Sequence, residues 1–134
     1  MTVGIDSMFN FGFADSEGII ANVVKGNKQA SEYSRSLEEI QDLFGAHNPG
    51  YIDAPFYTNH DMGRGAGYYA GEYSPAQTKM AGALNLLMTG SAFVYYGEEL
   101  GMKGSGKDEN KRAPMYFYDD PEAEGMCAGP VDMG

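Results

Sequence analysis

The sequence predicts an α/β fold of parallel strand–helix repeats, in the order strand, helix, strand, helix, strand, and three observations lead to it. Apolar runs rich in β-branched and aromatic residues occupy residues 5–13, 51–58 and 93–96. Between them lie segments, about 28–44 and 74–88, whose apolar residues recur three or four apart. Each run also leads straight into polar side chains, as a strand does where it becomes a loop. Crossovers of this length join parallel strands with right-handed connections, so all three polar ends fall on one side of the sheet. In parallel α/β folds that carboxyl edge is where ligands bind.

Taken in order, residues 5–13 interleave Ile5, Met8, Phe9, Phe11 and Phe13 with Asp6, Ser7, Asn10 and Gly12, which suits a first strand. Ser16 is placed to cap a short helix through Ile19, Ile20, Val23 and Val24. The helix over 28–44 buries Ala30, Tyr33, Leu37, Ile40, Leu43 and Phe44, with Gly45 at the left-handed position after its end. Ala46-His47-Asn48-Pro49-Gly50 turns the chain into the second strand, 51–58. Residues 63–73 mix Tyr68, Tyr69 and Tyr73 with glycines and read as an irregular surface loop. Ser74 as N-cap, Pro75 at the first helical position and Gln77 as the partner of a capping box open the next helix. Its stripe of Ala76, Met80, Ala83, Leu84, Leu87 and Met88 is expected in the core, and Gly90 ends it. Phe93-Val94-Tyr95-Tyr96 is a short buried strand that delivers Glu98 and Glu99 at its carboxyl end. Beyond Gly101 the chain is polar and loop-like, with an acidic tail over 119–134 and little regular structure expected. The chain thus reads as one unit, 1–134, with strand–helix elements over about 5–101 and loop and tail over 102–134.

Composition narrows the function. An apolar content of 43% in 134 residues allows a core, and no apolar run is long enough to cross a membrane, so no membrane partner is expected. A formal charge of −10 opposes binding to a phosphate backbone, which depends on clustered Lys and Arg, so no nucleic-acid partner is expected either. Neutral substrates fit better. The single Cys127 has no Cys or His neighbour at metal-ligand spacing, and Met1-Thr2-Val3-Gly4 leads into no secretory signal.

Chemistry concentrates in Phe56-Tyr57-Thr58-Asn59-His60-Asp61, where an apolar run meets a dense set of hydrogen-bonding groups just before Gly63, Gly65 and Gly67. Taken alone, His60-Asp61 after a strand is more often an ordinary surface turn than a reactive pair. His47, beside Asn48-Pro49-Gly50, reads as a solvated loop residue. With only two histidines, a His-based metal site is not indicated. Gly101-Met102-Lys103-Gly104-Ser105-Gly106-Lys107-Asp108 nearly spells a phosphate-binding loop, but Asp108 stands where a magnesium-holding hydroxyl belongs, and Pro114 shortens any following helix. Asp108 and Asn110 supply only part of a calcium ligand set.

Four segments carry a resemblance that reverses the bland reading of His60-Asp61. Phe56-Tyr57-Thr58-Asn59-His60-Asp61 resembles the Phe-x-x-Asn-His-Asp motif at the end of the seventh barrel strand in the alpha-amylase family of glycoside hydrolases. Asp6-Ser7-Met8-Phe9-Asn10-Phe11 is similar to that family's sixth strand, residues 90–99 to its eighth, and Lys111-Arg112-Ala113-Pro114-Met115 to the Arg-x-Pro-Met that follows. Order and spacing agree from about Ile5 to Met115; Ser91-Ala92 departs from the usual residue–proline pair.

The resemblance implies a partial TIM (β/α)8 barrel, a βαβαβ piece corresponding to its last third, since eight strand–helix units need about 200 residues or more. It implies an α-glucan or maltooligosaccharide substrate, with Asp61 as the carboxylate that stabilises the transition state, His60 and Asn59 binding sugar, and Arg64 pairing with a carboxylate or lining the cleft. Glu99 would support its loop. The family's nucleophilic aspartate and acid/base glutamate have no counterpart here, and its Gly-x-Arg-x-Asp motif is absent from the sequence. No cofactor is implied for this chain; calcium stays open for the parent protein. The alternative is a non-catalytic sugar-binding or assembly module derived from such a barrel. Either way, unpaired edges of a three-strand parallel sheet imply self-association of the chain alone.

Overall fold

The computed structural model describes residues 4–120, 122–127 and 129, so part of the expected acidic tail lies outside the described residues. Its regular elements are β1 (Phe9–Asn10), α1 (Ile19–Val24), α2 (Ala30–Gly45), β2 (Ala54–Pro55), α3 (Ser74–Leu86) and α4 (Asp108–Lys111), with 3-10 turns at Phe11–Phe13 and Gly65–Gly67. β1 and β2 pair in parallel, Phe9 against Ala54 and Asn10 against Pro55, and Phe56 bridges in parallel to Phe93. The three predicted runs therefore lie side by side as parallel segments, but with far less ladder than their lengths suggest. The first strand stops where Asn10 Oδ1 accepts the Gly12 N–H at 3.0 Å and winds Phe11–Phe13 into a 3-10 turn. The third, expected to be a buried strand, is reduced to one bridge, and Phe93, Val94 and Tyr96 are exposed.

Both long helices form, with different ends from those expected. The backbone N–H of Gln29 donates to Glu32 Oε2 at 3.0 Å and starts α2, which continues through Gly45 to a right-handed Ala46, so Gly45 is not a left-handed terminator. α3 begins at Ser74 with Tyr73 as its N-cap, and no side-chain cap bond forms there. Gln77 instead donates from Nε2 to the Val24 carbonyl at 3.3 Å, which ties α3 to α1. Gly18, not Ser16, precedes α1, because a Cβ at residue 18 would lie 2.0 Å from the Ala14 carbonyl oxygen.

The core gathers Phe13, Ile20, Ala21, Tyr57, Tyr69, Ala81 and Met88, with Tyr33, Leu37 and Leu84 packed against it, so it sits between α1, α2, α3 and one face of the short sheet. The expected stripe on α3 is corrected here. Ala81, Asn85 and Met88 are buried, whereas Met80 and Leu87 are exposed. Asn85 takes a core position by donating to the Phe93 carbonyl at 2.9 Å, a bond that an apolar-periodicity reading does not anticipate. No helix among the described residues is long and apolar enough to cross a membrane.

At the amino ends of the strands a buried carboxylate organises the sheet. Asp53 is 3% exposed and accepts Asn10 Nδ2 at 3.1 Å, the Tyr51 hydroxyl at 3.0 Å and its neighbour Ala54 N–H at 3.0 Å. Its backbone carbonyl accepts Ser91 N–H at 2.9 Å, so Asp53 links all three parallel segments.

Candidate active site

Alternation along residues 56–58 sets the site. Phe56 and Thr58 line a cleft, and Tyr57 between them turns into the core, where its hydroxyl lies 2.7 Å from that of Tyr69. On the cleft side, Phe56 meets Phe9 and Phe11 edge-to-face at 5.8 and 4.8 Å, and Phe9 meets Phe93 at 5.0 Å. One phenylalanine or more from each parallel segment thus builds the floor of a cleft of about 190 Å³, and Asn59, His60 and Tyr95 also border it.

Asn59 Oδ1 accepts the Asp61 N–H at 2.9 Å, a local turn that throws His60 and Asp61 outward; their side chains are 59% and 67% exposed. His60 Nε2 lies 3.3 Å from Asp61 Oδ1. The turn is backed by α4 and the residue after it. Arg112 donates from Nη2 to Asp61 Oδ1 at 3.1 Å and from Nε to the His60 carbonyl at 3.2 Å, while Lys111 Nζ donates to the Asp61 carbonyl at 3.0 Å. Asp108 gathers both cations, at 2.9 Å from Lys111 Nζ and 3.2 Å from Arg112 Nη2. The Lys111 ammonium first, and Arg112 second, hold its carboxyl below the usual carboxylate range.

Asn59 and His60 therefore border the cleft, with Asp61 next to them in the same turn, and Arg64 is not with them. Arg64 is 1% exposed, pairs with no carboxylate among the described residues, and donates from Nη1 to the Tyr96 carbonyl at 2.6 Å. Tyr95 and Tyr96 each place a ring 4.7 Å from its guanidinium carbon. The expectation that Arg64 pairs with an acid or lines the cleft is corrected on these grounds. At the third strand's end the supporting acid is Glu98, not Glu99, which is exposed. Glu98 Oε1 accepts the Thr58 hydroxyl and Oε2 accepts Tyr95 N–H. Burial raises the Glu98 pKa, against the lowering effects of the Thr58 and Tyr95 hydrogen bonds and of Arg64.

Sequence reasoning assigned no role to Arg112, Glu98 or Asp53. A signal for Arg112 was present, because Asp108 and Arg112 stand four apart and meet on one turn of helix. Asp53 lies inside an apolar run, where a lone acid gives no sign of its partners. No group of three or more His, Cys, Asp or Glu among the described residues is arranged to hold a metal ion.

Parallel segments joined through helices, with polar tips at one edge beside an aromatic cleft, make an α/β unit of the kind a β/α barrel repeats. A family model described as the alpha-amylase catalytic domain matches residues 2–125, and the chain belongs to the alpha-amylase family. It is similar to Alpha-amylase 3 of Dictyoglomus thermophilum, 36% identical over 121 residues that make up 90% of this chain and 23% of that protein. Among solved structures it resembles Eubacterium rectale Amy13B, with a TM-score of 0.90, 51% identity and coverage of 97% of this chain and 26% of that one. It also resembles the alpha-amylase from H. orenii, with a TM-score of 0.72, 33% identity and coverage of 87% and 23%. The four-motif resemblance is thus confirmed at the level of family. The chain spans about a quarter of the length of these relatives, 23% to 26%.

Proposed function

We propose that the chain forms the sixth-to-eighth-strand portion of an alpha-amylase-type (β/α)8 barrel that cleaves or transfers α-glucosidic bonds with retention, and that it supplies the third carboxylate of that site, Asp61. The observation that carries this reading is the joint placement of Asn59, His60 and Asp61 at the carboxyl edge of parallel segments, beside a cleft floored by aromatic rings. Asp61 Oδ1 is held by Arg112 and His60, whereas Oδ2 has no protein donor among the described residues. A carboxylate so oriented accepts hydrogen bonds from the two ring hydroxyls beside the anomeric carbon. Those bonds tighten as the ring flattens towards an oxocarbenium-like transition state, and only such differential binding lowers the barrier. His60 donates to a neighbouring hydroxyl, and Asn59 shapes the turn that presents both side chains.

Retention requires two further carboxyl groups, about 5 Å apart across the scissile bond, one attacking and one protonating the leaving oxygen. Nothing in this sequence matches the family motif for the nucleophile, so both groups are assigned to polypeptide outside this chain. The chain alone is then inactive on maltooligosaccharides. In the complete polypeptide, Asp61→Asn is expected to lower kcat by roughly a hundred- to a thousand-fold, the scale seen on removing one positioned transition-state contact. Turnover by the isolated chain that disappears on Asp61→Ala would overturn the assignment of the other two groups, and a fully active Asp61→Asn enzyme would overturn that of Asp61.

A further inference from the structure

The backbone ladder stops short of the residues that matter. Backbone pairing between the second and third parallel segments consists of the Ser91 N–H bond to the Asp53 carbonyl and the Phe56–Phe93 bridge, and beyond the bridge the tips, 58–64 and 95–98, share no backbone hydrogen bond among the described residues. A strand tip without ladder bonds or close packing opens readily. Two side chains span the gap. On the near flank, the Thr58 hydroxyl donates to Glu98 Oε1, and Glu98 Oε2 is anchored by Tyr95 N–H at 3.3 Å. On the far flank, three residues past Asp61, the Arg64 guanidinium donates to the Tyr96 carbonyl at 2.6 Å and packs against both Tyr95 and Tyr96 at 4.7 Å. The Arg64 N–H donates to the Gly104 carbonyl at 2.9 Å and fixes the start of that side chain.

The fit around Arg64 is close. A Cβ on Gly97 would lie 3.1 Å from Arg64 Nη1 and 2.3 Å from Met102 Sδ. Arg64 Nε and Nη2 have no hydrogen-bond partner among the described residues, so the buried cation is held chiefly by one carbonyl and two ring faces. Neither Arg64 nor Glu98 borders the aromatic cleft, so neither touches what binds there.

We infer that Glu98 and Arg64 are positioning residues that clamp the Asn59-His60-Asp61 turn from both sides against the tip of the third segment. This rests on the function proposed above. A misplacement of about 1 Å at a reacting centre costs on the order of a hundred-fold in rate, so Glu98 and Arg64, whose ties lie within three residues of Asp61, act on turnover without themselves bordering the cleft.

The test uses the complete polypeptide. Glu98→Ala, Thr58→Val and Arg64→Lys are expected to lower kcat by about ten- to a hundred-fold while KM stays within about twofold, the signature of lost transition-state stabilisation. Glu98→Gln is the rescue: its amide accepts Tyr95 N–H and donates to the Thr58 oxygen, and kcat stays near that of the unaltered enzyme. Folded Glu98→Ala and Thr58→Val enzymes with undiminished kcat, changed only in melting temperature, would overturn the inference. Thr58→Val removes one hydroxyl at nearly constant volume and remains informative if the Arg64 variant does not fold. Hydrogen exchange separates this idea from the proposed function. The amides of Asp61 and Arg64, bonded to Asn59 Oδ1 and to the Gly104 carbonyl, are expected to exchange at least about tenfold faster in Thr58→Val and Arg64→Lys, and unchanged exchange would overturn the clamp even in a protein with no activity on glucans.

Discussion

Gly90→Ala offers a direct measure of how closely the second and third segments interlock. Gly90 has φ +87°, and a Cβ there would lie 2.0 Å from the Asp53 carbonyl oxygen, 2.7 Å from its carbon and 3.0 Å from its nitrogen. All three atoms are backbone, and that oxygen is already fixed by Ser91 N–H, so nothing flexible can give way. Left-handed backbone costs an alanine about 1–2 kcal/mol. Overpacking against a fixed neighbour adds about 1–3 kcal/mol, for a total of roughly 2–5 kcal/mol. Gly71 supplies the control: its φ is +82°, and a Cβ there would meet nothing within 4 Å. Gly71→Ala is therefore expected to cost only the strain, about 1–2 kcal/mol. The assay is urea unfolding followed by tyrosine fluorescence, since the chain has ten tyrosines and no tryptophan. If the two variants unfold within about 0.5 kcal/mol of each other, the contact between residues 53 and 90 does not have the closeness described, because overpacking should separate them.

Burial and the neighbouring Asp53 carboxylate push Tyr51 up to about 12, and burial likewise raises Tyr95 to about 12; Tyr57 and Tyr68 are raised further. Because folding favours the neutral phenols, the contribution of Tyr51 and Tyr95 to stability is complete below the ordinary value of 10.0 and is lost as pH rises through about 12. Tyrosinate absorbance should show Tyr51 and Tyr95 ionising late, and uniform titration near the ordinary value with flat stability above it would contradict the assigned environments. Arg112→Met is expected to cost less than about 1 kcal/mol in urea unfolding, because its ion pairs are exposed. Even so, it should speed hydrogen exchange at the Asp61 amide, which Asn59 Oδ1 accepts at 2.9 Å, since it removes the bonds to the His60 carbonyl and the Asp61 carboxylate; unchanged exchange would show that Arg112 does not hold the turn. The isolated chain should self-associate at micromolar concentration, as Phe9, Phe11, Phe93 and Val94 are exposed on the edge segments. A monomeric sedimentation profile with dispersed amide resonances would refute that.

The order of elements and the placing of Asn59-His60-Asp61 just past the second parallel segment were legible because they rest on local signals. Aromatic and β-branched runs, helical periodicity and the Asn59-His60-Asp61 cluster are each visible within a few residues. What escaped was set by contacts between elements, not within them. Asn85 faces inward because it reaches the Phe93 carbonyl, and Gln77 leaves its expected capping box to reach Val24. Arg64 looks free for substrate until Tyr95 and Tyr96, more than thirty residues later, are seen enclosing it. Strand lengths were overestimated for a related reason: an apolar run reports the capacity to pair, and the ladder extends only where a partner lies opposite.

A sheet with so few ladder bonds must hold its register by other means, and the side chains divide that work between its two ends. At the amino end, Asp53 receives Asn10 from the first segment and, through its backbone, Ser91 from the third, with Gly90 packed where no Cβ fits. At the carboxyl end, Glu98 and Arg64 tie the flanks of the presented turn, and Lys111 and Arg112 hold its two carbonyls. The two ends should separate experimentally. Asp53→Asn acts on a carboxylate with three donors and should destabilise the whole chain by about 1–3 kcal/mol, because Asn has only one acceptor oxygen to meet them. Thr58→Val should loosen the turn with little change in global unfolding. If both changes altered global stability and local exchange alike, register and presentation would be one cooperative unit, and the division between a stabilising end and a presenting end would fail.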